Sequence, residues 1–209
     1  ASAVRTYINR FGVVPGKKII VFGNNDDARK TVFDLQSKGI EVIAYVDSRK
    51  DVEAIKDTLC FTDSAIINTT GSLALSSVSI KSGNTITKLN CDCLAVSGGW
   101  NPTIHLTSHT NVKPFWNETI NCFVASPGAI NNMEIAGAAN GVFSTKMAMK
   151  SGVFRTQKLL KELGVKTQSI IIPDTENEDY NCEPLWHVEG TGRGWLDFQN
   201  DGTVKDLKQ

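Results

Sequence analysis

The stretch KKIIVFGNNDDARKTVFDLQSKGIEVIAYVDSR, residues 17–49, constrains the fold more than any other part of the chain. Residues 18–22 read as a buried strand, its apolar run Ile19, Ile20, Val21 and Phe22 stopping at Gly23, the pattern of a strand covered on both faces. Residues 26–38 then carry Ala28, Val32, Phe33 and Leu35 at helical spacing, and Gly39 supplies a left-handed stop. A second apolar strand follows at residues 41–46 and ends in Asp47. Strand, helix and strand at this spacing make a βαβ unit, in which the helix carries the chain back so that the strands run parallel.

A second stretch, CLAVSGGWNPTIHL at residues 93–106, shows where another buried strand leaves the sheet. Leu94, Ala95 and Val96 stop abruptly at Ser97-Gly98-Gly99, and Asn101-Pro102 forbids helix and starts a turn. Ligands of open α/β sheets bind outside the carboxyl ends of such strands. The turn is therefore either a packed crossing or the wall of a cofactor site.

The remaining pattern fills in around these two. A short helix at residues 2–11 ends at Gly12, and residues 51–57 read as a brief helix. Residues 64–68, 75–81 and 85–89 read as short strands, with Ser82-Gly83-Asn84 turning a hairpin between the last two. A loop-rich region runs from Trp100 to Pro127, a long helical pattern covers residues 142–163, and residues 168–173 suit one more strand.

Charge and cysteine usage exclude several classes of function. Lysine plus arginine and aspartate plus glutamate number 22 each, which recommends neither a nucleic-acid nor an anionic-membrane partner. No apolar run approaches the roughly 20 residues that span a bilayer, and the opening ASAVRTYINRFG has no signal-type apolar core. Five scattered cysteines do not form a disulfide framework, and Cys91-Asp92-Cys93 lacks both the spacing and the histidines of a zinc site. No metal ligands are assigned, and a reducing cytoplasm is the expected compartment.

Two segments carry candidate chemistry. Gly23-Asn24-Asn25-Asp26-Asp27-Ala28 stands where a dinucleotide fingerprint, G-x-G-x-x-G/A, belongs. Its middle glycine is Asn25, and Asp26 and Asp27 place negative charge where a pyrophosphate would rest on the helix. Asp47 matches the ribose-binding acid in position, although Asp-Ser-Arg is also an ordinary strand exit. This reading makes the unit a scaffold that repels phosphate, and expects the substitution of Asn25, Asp26 and Asp27 by Gly, Ala and Ala to leave stability nearly unchanged. The other segment is IAGAANG, residues 135–141, ahead of a helix beginning near Phe143. Its small residues serve either close approach of a ligand to the helix N-terminus or close packing of the helix. His105 and His109 lack a carboxylate partner at regular spacing, and no catalytic residue is assigned.

CDCLAVSGGWNPTIHL followed by IAGAANG resembles the alpha chain of heterotetrameric sarcosine oxidases. TYINRFGVVPGKKIIVFGNNDDAR and WLDFQNDGTVKDLK are similar to flanking segments of the same family. The resemblance implies an internal fragment of a longer alpha chain, in an α/β fold of Rossmann-like FAD/NAD(P)-binding layers with a second βαβ domain inserted into an incomplete first one. Residues 1–16 would then be a helix of the first dinucleotide-binding domain and 17–98 the inserted domain. Residues 99–165 would return to the first domain, and 166–209 would be a linker and the start of the next.

The same resemblance assigns NAD contacts to Gly137, Ala138, Phe143 and Thr145. Ala138 stands where related flavin enzymes carry the aspartate that holds the sugar chain of FAD. In such oxidases sarcosine is oxidised at a flavin on the beta chain. FAD, FMN, tetrahydrofolate and the beta, gamma and delta subunits complete the complex. The alternative is a non-catalytic, degenerate Rossmann module serving subunit assembly, with Trp100, Trp116, Trp186 and Trp195 as interface aromatics.

Overall fold

The computed structural model describes residues 1–109, 111–126, 130–176, 178, 180–190, 195–197 and 202–206. They divide into two compact units, one of residues 1–98 and 184–209 and the other of residues 99–183.

In the first unit, helix α1 (Ser2–Phe11) closes at Gly12, whose φ of 64° lets its N–H reach back to the Ile8 carbonyl. Strand β1 (Ile19–Gly23) is buried at every residue. Helix α2 (Asp26–Ser37) buries Ala28, Thr31, Val32 and Leu35, one stripe at helical spacing. Phe33, expected in that stripe, lies 48% exposed instead, with the Arg29 guanidinium over its ring. It sits one position past Val32, a rotation of about 100° that turns it off the core face.

Strands β2 (Val42–Asp47) and β3 (Leu59–Phe61) follow, then β4 (Ser64–Gly71), β5 (Leu75–Ser82), β6 (Thr85–Asn90) and β7 (Cys93–Ser97). A parallel sheet has the order β3-β2-β1-β7, and β4-β5-β6 form a separate antiparallel sheet. The chain therefore moves outward from β1 to β2 and β3, then returns through the antiparallel strands to the other side of β1. Strand alternation supplies both faces. Ile19 and Val21 join α1 and α2 in one core, while Ile20 and Phe22 join Val78 and Ile80 of β5 in the other. Burying an apolar side chain of this kind contributes about 1.5–3 kcal/mol.

Asp92 ties the return strand to the start of β1, its carboxylate accepting the backbone N–H groups of Lys17 at 2.9 Å and Lys18 at 2.7 Å. Those bonds, from Lys18 first, hold the carboxyl below its ordinary value of 3.8. In the Cys-Asp-Cys sequence the aspartate thus has a structural task, and burial pushes both flanking thiols up.

The sequence pattern misplaces one helix here. Residues 51–57 are not helical, because side chains of α2 take their carbonyls: Arg29 donates to Glu53 and Gln36 to Lys56. Short strands β10 (Trp195–Asp197) and β11 (Gly202–Thr203) pair antiparallel.

The second unit holds helix α3 (His105–Ser108) and a hairpin of β8 (Phe115–Asn117) with β9 (Cys122–Val124), in the region whose composition reads as loop. Trp116 packs edge-on against Phe123 with ring centroids 5.1 Å apart. A 3₁₀ turn at Gly137–Asn140 precedes helix α4 (Thr145–Glu162). The helix starts three residues later than its pattern suggests because Ser144 is the cap, its hydroxyl accepting the Met147 N–H. Residues 168–173 form no strand, and Ile171 is 92% exposed.

Candidate functional site

Sheet register decides what stands at the carboxyl end of the first unit's parallel strands. Gly23 of β1 is paired with Asp47 of β2 on one side and Ser97 of β7 on the other. The order of strands reverses between β1 and β7, so this is the crevice where an open α/β sheet takes its ligand.

Here the crevice is filled by the chain itself. Asn25 is fully buried, and its side-chain amide makes four hydrogen bonds. The amide nitrogen donates to the Ser97 carbonyl and to Asn24 Oδ1, both at 2.9 Å. Its oxygen accepts the Ala28 N–H at 3.2 Å and the Ser97 hydroxyl at 3.1 Å. Two bonds given and two accepted exhaust the capacity of an amide. The Ala28 N–H, which a pyrophosphate would otherwise meet at the helix N-terminus, belongs to Asn25. Gly23 and Ala28 keep the close strand–helix contact of a dinucleotide turn: a Cβ at Gly23 would lie 2.4 Å from that of Ala28. The backbone framework is retained and the anion's place is occupied.

Asp47 is likewise consumed. It is fully buried, and one carboxylate oxygen accepts the Arg49 backbone N–H at 2.9 Å and Arg49 Nε at 3.0 Å. The other accepts Arg49 Nη2 at 2.9 Å and the Tyr45 hydroxyl. Arg49 Nη1 reaches on to Asp26 at 2.7 Å. Burial opposes the Arg49 charge, yet bonds to Asp47 and Asp26 outweigh it and hold the guanidinium protonated more firmly than usual. Burial, then the bond to Asp47, raises the Tyr45 phenol above its ordinary range.

These bonds correct the expectation that Asn25, Asp26 and Asp27 can be replaced with stability nearly unchanged: Asn25 caps the Ala28 N–H and clasps Ser97, and Asp26 holds Arg49. The role of Arg49 went unseen in the sequence; its only signal was an arginine two residues after a strand-ending acid.

In the second unit, Gly137 takes a φ of 62° and donates its N–H to Ser151 of α4 at 3.3 Å. Glu134 reaches the same helix through Arg155 at 2.9 Å and through Lys158. Lys158 first, then Arg155, hold the Glu134 carboxyl below its ordinary value against its burial. Gly137, Ala138, Phe143 and Thr145 thus all lie at the entrance to α4. Phe143 stacks edge-on against Tyr180 at 5.2 Å, and the Thr145 hydroxyl donates to Glu178 at 3.1 Å. Gly137 lies against α4, where an added Cβ would stand 3.6 Å from that of Ala148, and Glu178 puts a carboxylate beside the Thr145 hydroxyl. A cavity of about 30 Å³ near the turn is lined by Glu134, Ile135, Asn140 and Arg155 among others, room for a water and not for a nucleotide.

His105 and His109 are both exposed, on and just after α3. Among the described residues no group of three metal-ligating side chains converges, and no helix is long and apolar enough to cross a membrane. Trp100, Trp116 and Trp186 are exposed; the Trp195 side chain lies outside the described residues.

A parallel sheet with strands running outward from β1 and returning beside it defines a mixed α/β protein of Rossmann type. L-proline dehydrogenase from P. horikoshii shares the fold, with a TM-score of 0.56 at 18% identity over 78% of this chain and 29% of that one. The T. acidophilum thioredoxin reductase superposes with a TM-score of 0.48 at 10% identity, over 70% of this chain and 53% of that one. No family profile matches the sequence. Along 99% of its length, however, the chain is 31% identical to the sarcosine oxidase subunit alpha of Rhizobium meliloti. It is 30% identical, again over 99%, to the subunit of that name from Corynebacterium sp. strain U-96. The chain is a relative of sarcosine oxidase alpha subunits, and spans 21% and 24% of the length of these two.

Proposed function

We propose that the chain is the portion of a sarcosine oxidase-type alpha subunit that carries a Rossmann-type scaffold and part of an NAD site. The observation that supports it is the similarity to alpha subunits along 99% of the sequence. The oxidoreductase would be a flavin-dependent cytoplasmic heterotetramer. FAD, FMN and tetrahydrofolate would lie in other parts of it, and beta, gamma and delta subunits would complete it. No residue of this chain is assigned to catalysis. NAD would approach the N-terminus of α4 over Gly137 and Ala138, whose size admits it, with Phe143 and Thr145 at the helix start. No intact G-x-G-x-x-G occurs in the sequence, so half of the polar contacts of a dinucleotide pocket must come from elsewhere.

A second reading, a non-catalytic module used for assembly, is favoured by the filled crevice at Asn25 and Ser97. The two readings combine when residues 17–98 serve as scaffold and the entrance to α4 serves the cofactor. Calorimetric titration of NAD and FAD separates them, using the 209-residue chain and a full-length alpha subunit containing it. The NAD reading expects tight binding by the full-length subunit, weak or no binding by the chain alone, and loss of affinity on Ala138→Asp in the full-length subunit. A full-length subunit that ignores NAD would leave the assembly reading standing. Equal affinities in parent and Ala138→Asp would remove Ala138 from the site.

A further inference from the structure

The second unit brings two thiols to one turn of backbone, in an arrangement that the cofactor reading does not use. Cys122, on β9, is buried and directs its Sγ to the Trp100 carbonyl at 3.0 Å. Cys182 lies 60 residues further along, half-buried, on the other approach to the same turn. A Cβ built on Gly99 would stand 3.0 Å from Cys182 Sγ and 3.0 Å from the Tyr180 hydroxyl. Gly99 has a φ of 102°, and with no side chain it leaves that space to the sulfur.

Two further bonds fix the approach. The Asn121 side chain donates to the Cys182 carbonyl at 3.1 Å, and the Trp100 N–H donates to the Tyr180 hydroxyl at 2.9 Å. Residues 180–182 are therefore tied both to the Gly99–Trp100 turn and to the residue just before Cys122. Burial pushes the Cys122 thiol up, and the charge of a neighbouring Cys182 thiolate adds to the effect.

We propose that Cys122 and Cys182 are a thiol–disulfide pair, whose oxidation staples residues 180–182 to β9 across the Gly99–Trp100 turn. The oxidant is a low-molecular-weight disulfide. The half-exposed Cys182 thiolate attacks one of its sulfurs, forming a mixed disulfide and releasing one thiolate. The Cys122 thiolate then attacks Cys182 Sγ, forming the Cys122–Cys182 bond and releasing the second thiolate. Two protein thiols are oxidised, one small disulfide is reduced to two thiols, and the two cysteine protons pass to the departing thiolates.

The test is incubation of the 209-residue chain with oxidised glutathione, followed by alkylation, intact mass measurement and peptide mapping. The expected result is a loss of two hydrogens, a fall in alkylatable thiols from five to three, and a peptide joining Cys122 to Cys182. Cys122→Ser should leave a glutathione adduct on Cys182, and Cys182→Ser should leave Cys122 reduced. A crosslink joining any other pair overturns the proposal, as does a stable glutathione adduct on Cys182 in the parent chain. The parent's peptide map decides the matter even where a serine variant fails to fold.

Discussion

The side-chain nitrogen of Asn25 donates to the Ser97 carbonyl across 2.9 Å, joining two residues 72 positions apart at the mouth of a parallel sheet. In a working dinucleotide turn this gap is left for a pyrophosphate; here an amide spans it and satisfies both sides. Crevice closure and strand-to-helix capping are thus done by one residue.

Asn25→Ala removes the cap on the Ala28 N–H and both links to Ser97. The expected destabilisation is about 1–2 kcal/mol, the range for a lost N-cap with buried groups left unpaired. Urea unfolding followed by circular dichroism reads it. A midpoint equal to that of the parent chain would show that the clasp carries no stability.

Arg49→Met leaves Asp47 buried without its cationic partner. The expected cost is about 3–5 kcal/mol, as for a buried pair broken on one side. Arg49→Lys should recover little, since one ammonium cannot reproduce the forked contacts to Asp47 and Asp26. The double variant Arg49→Met with Asp47→Asn should recover more than Arg49→Lys does. Thermal melts of the three variants check that order.

Asp92 gives the chain an acid-sensitive seam. Its carboxyl titrates below the ordinary 3.8 in the folded chain, because the Lys18 and Lys17 amides stabilise the charged form. The stabilisation is present above pH 3.8 and is lost as pH falls through the lower, folded-state value. Asp92→Asn should flatten that part of the stability profile between neutral pH and the acid limb. Unfolding curves at stepped pH that keep the parent's full slope in the variant would refute it.

On the proposed NAD site, the Glu178 carboxylate that accepts the Thr145 hydroxyl would oppose the cofactor's phosphates. Glu178→Gln should raise the NAD affinity of a full-length alpha subunit roughly two- to fivefold, the worth of one charge at a helix end. Titration at low ionic strength gives the clearest reading, because screening weakens the effect. Unchanged affinity would place the cofactor's phosphates away from Thr145.

The parallel strands were legible because burial on both faces writes itself as uninterrupted apolar runs at Ile19–Phe22 and Val42–Val46. The end of β7 at Ser97 was legible through Gly98, Gly99 and Asn101-Pro102, and Gly99 takes a φ of 102°. The position of Asn25 in the fingerprint was also plain, but its effect was not. A polar residue at a helix start reads as exposed charge until a distant partner such as Ser97 is brought beside it. Arg49 was hidden for the same reason, since its partner Asp26 lies on a neighbouring element. The helix expected at residues 51–57 failed because α2 supplies Arg29 and Gln36 to its carbonyls, a competition between segments that local propensity does not record.

Helix α4 buries none of its 18 residues within the described chain, whereas β1 buries all five of its own. Most helical stability in proteins comes from packing an apolar face against a core, and α4 has no fully buried residue to supply it. The two elements should therefore report opposite ends of the chain's local stability when amide protons are exchanged for deuterium. The α4 amides would open by fraying and exchange early, while those of Ile20 and Val21 would wait for the sheet itself to come apart.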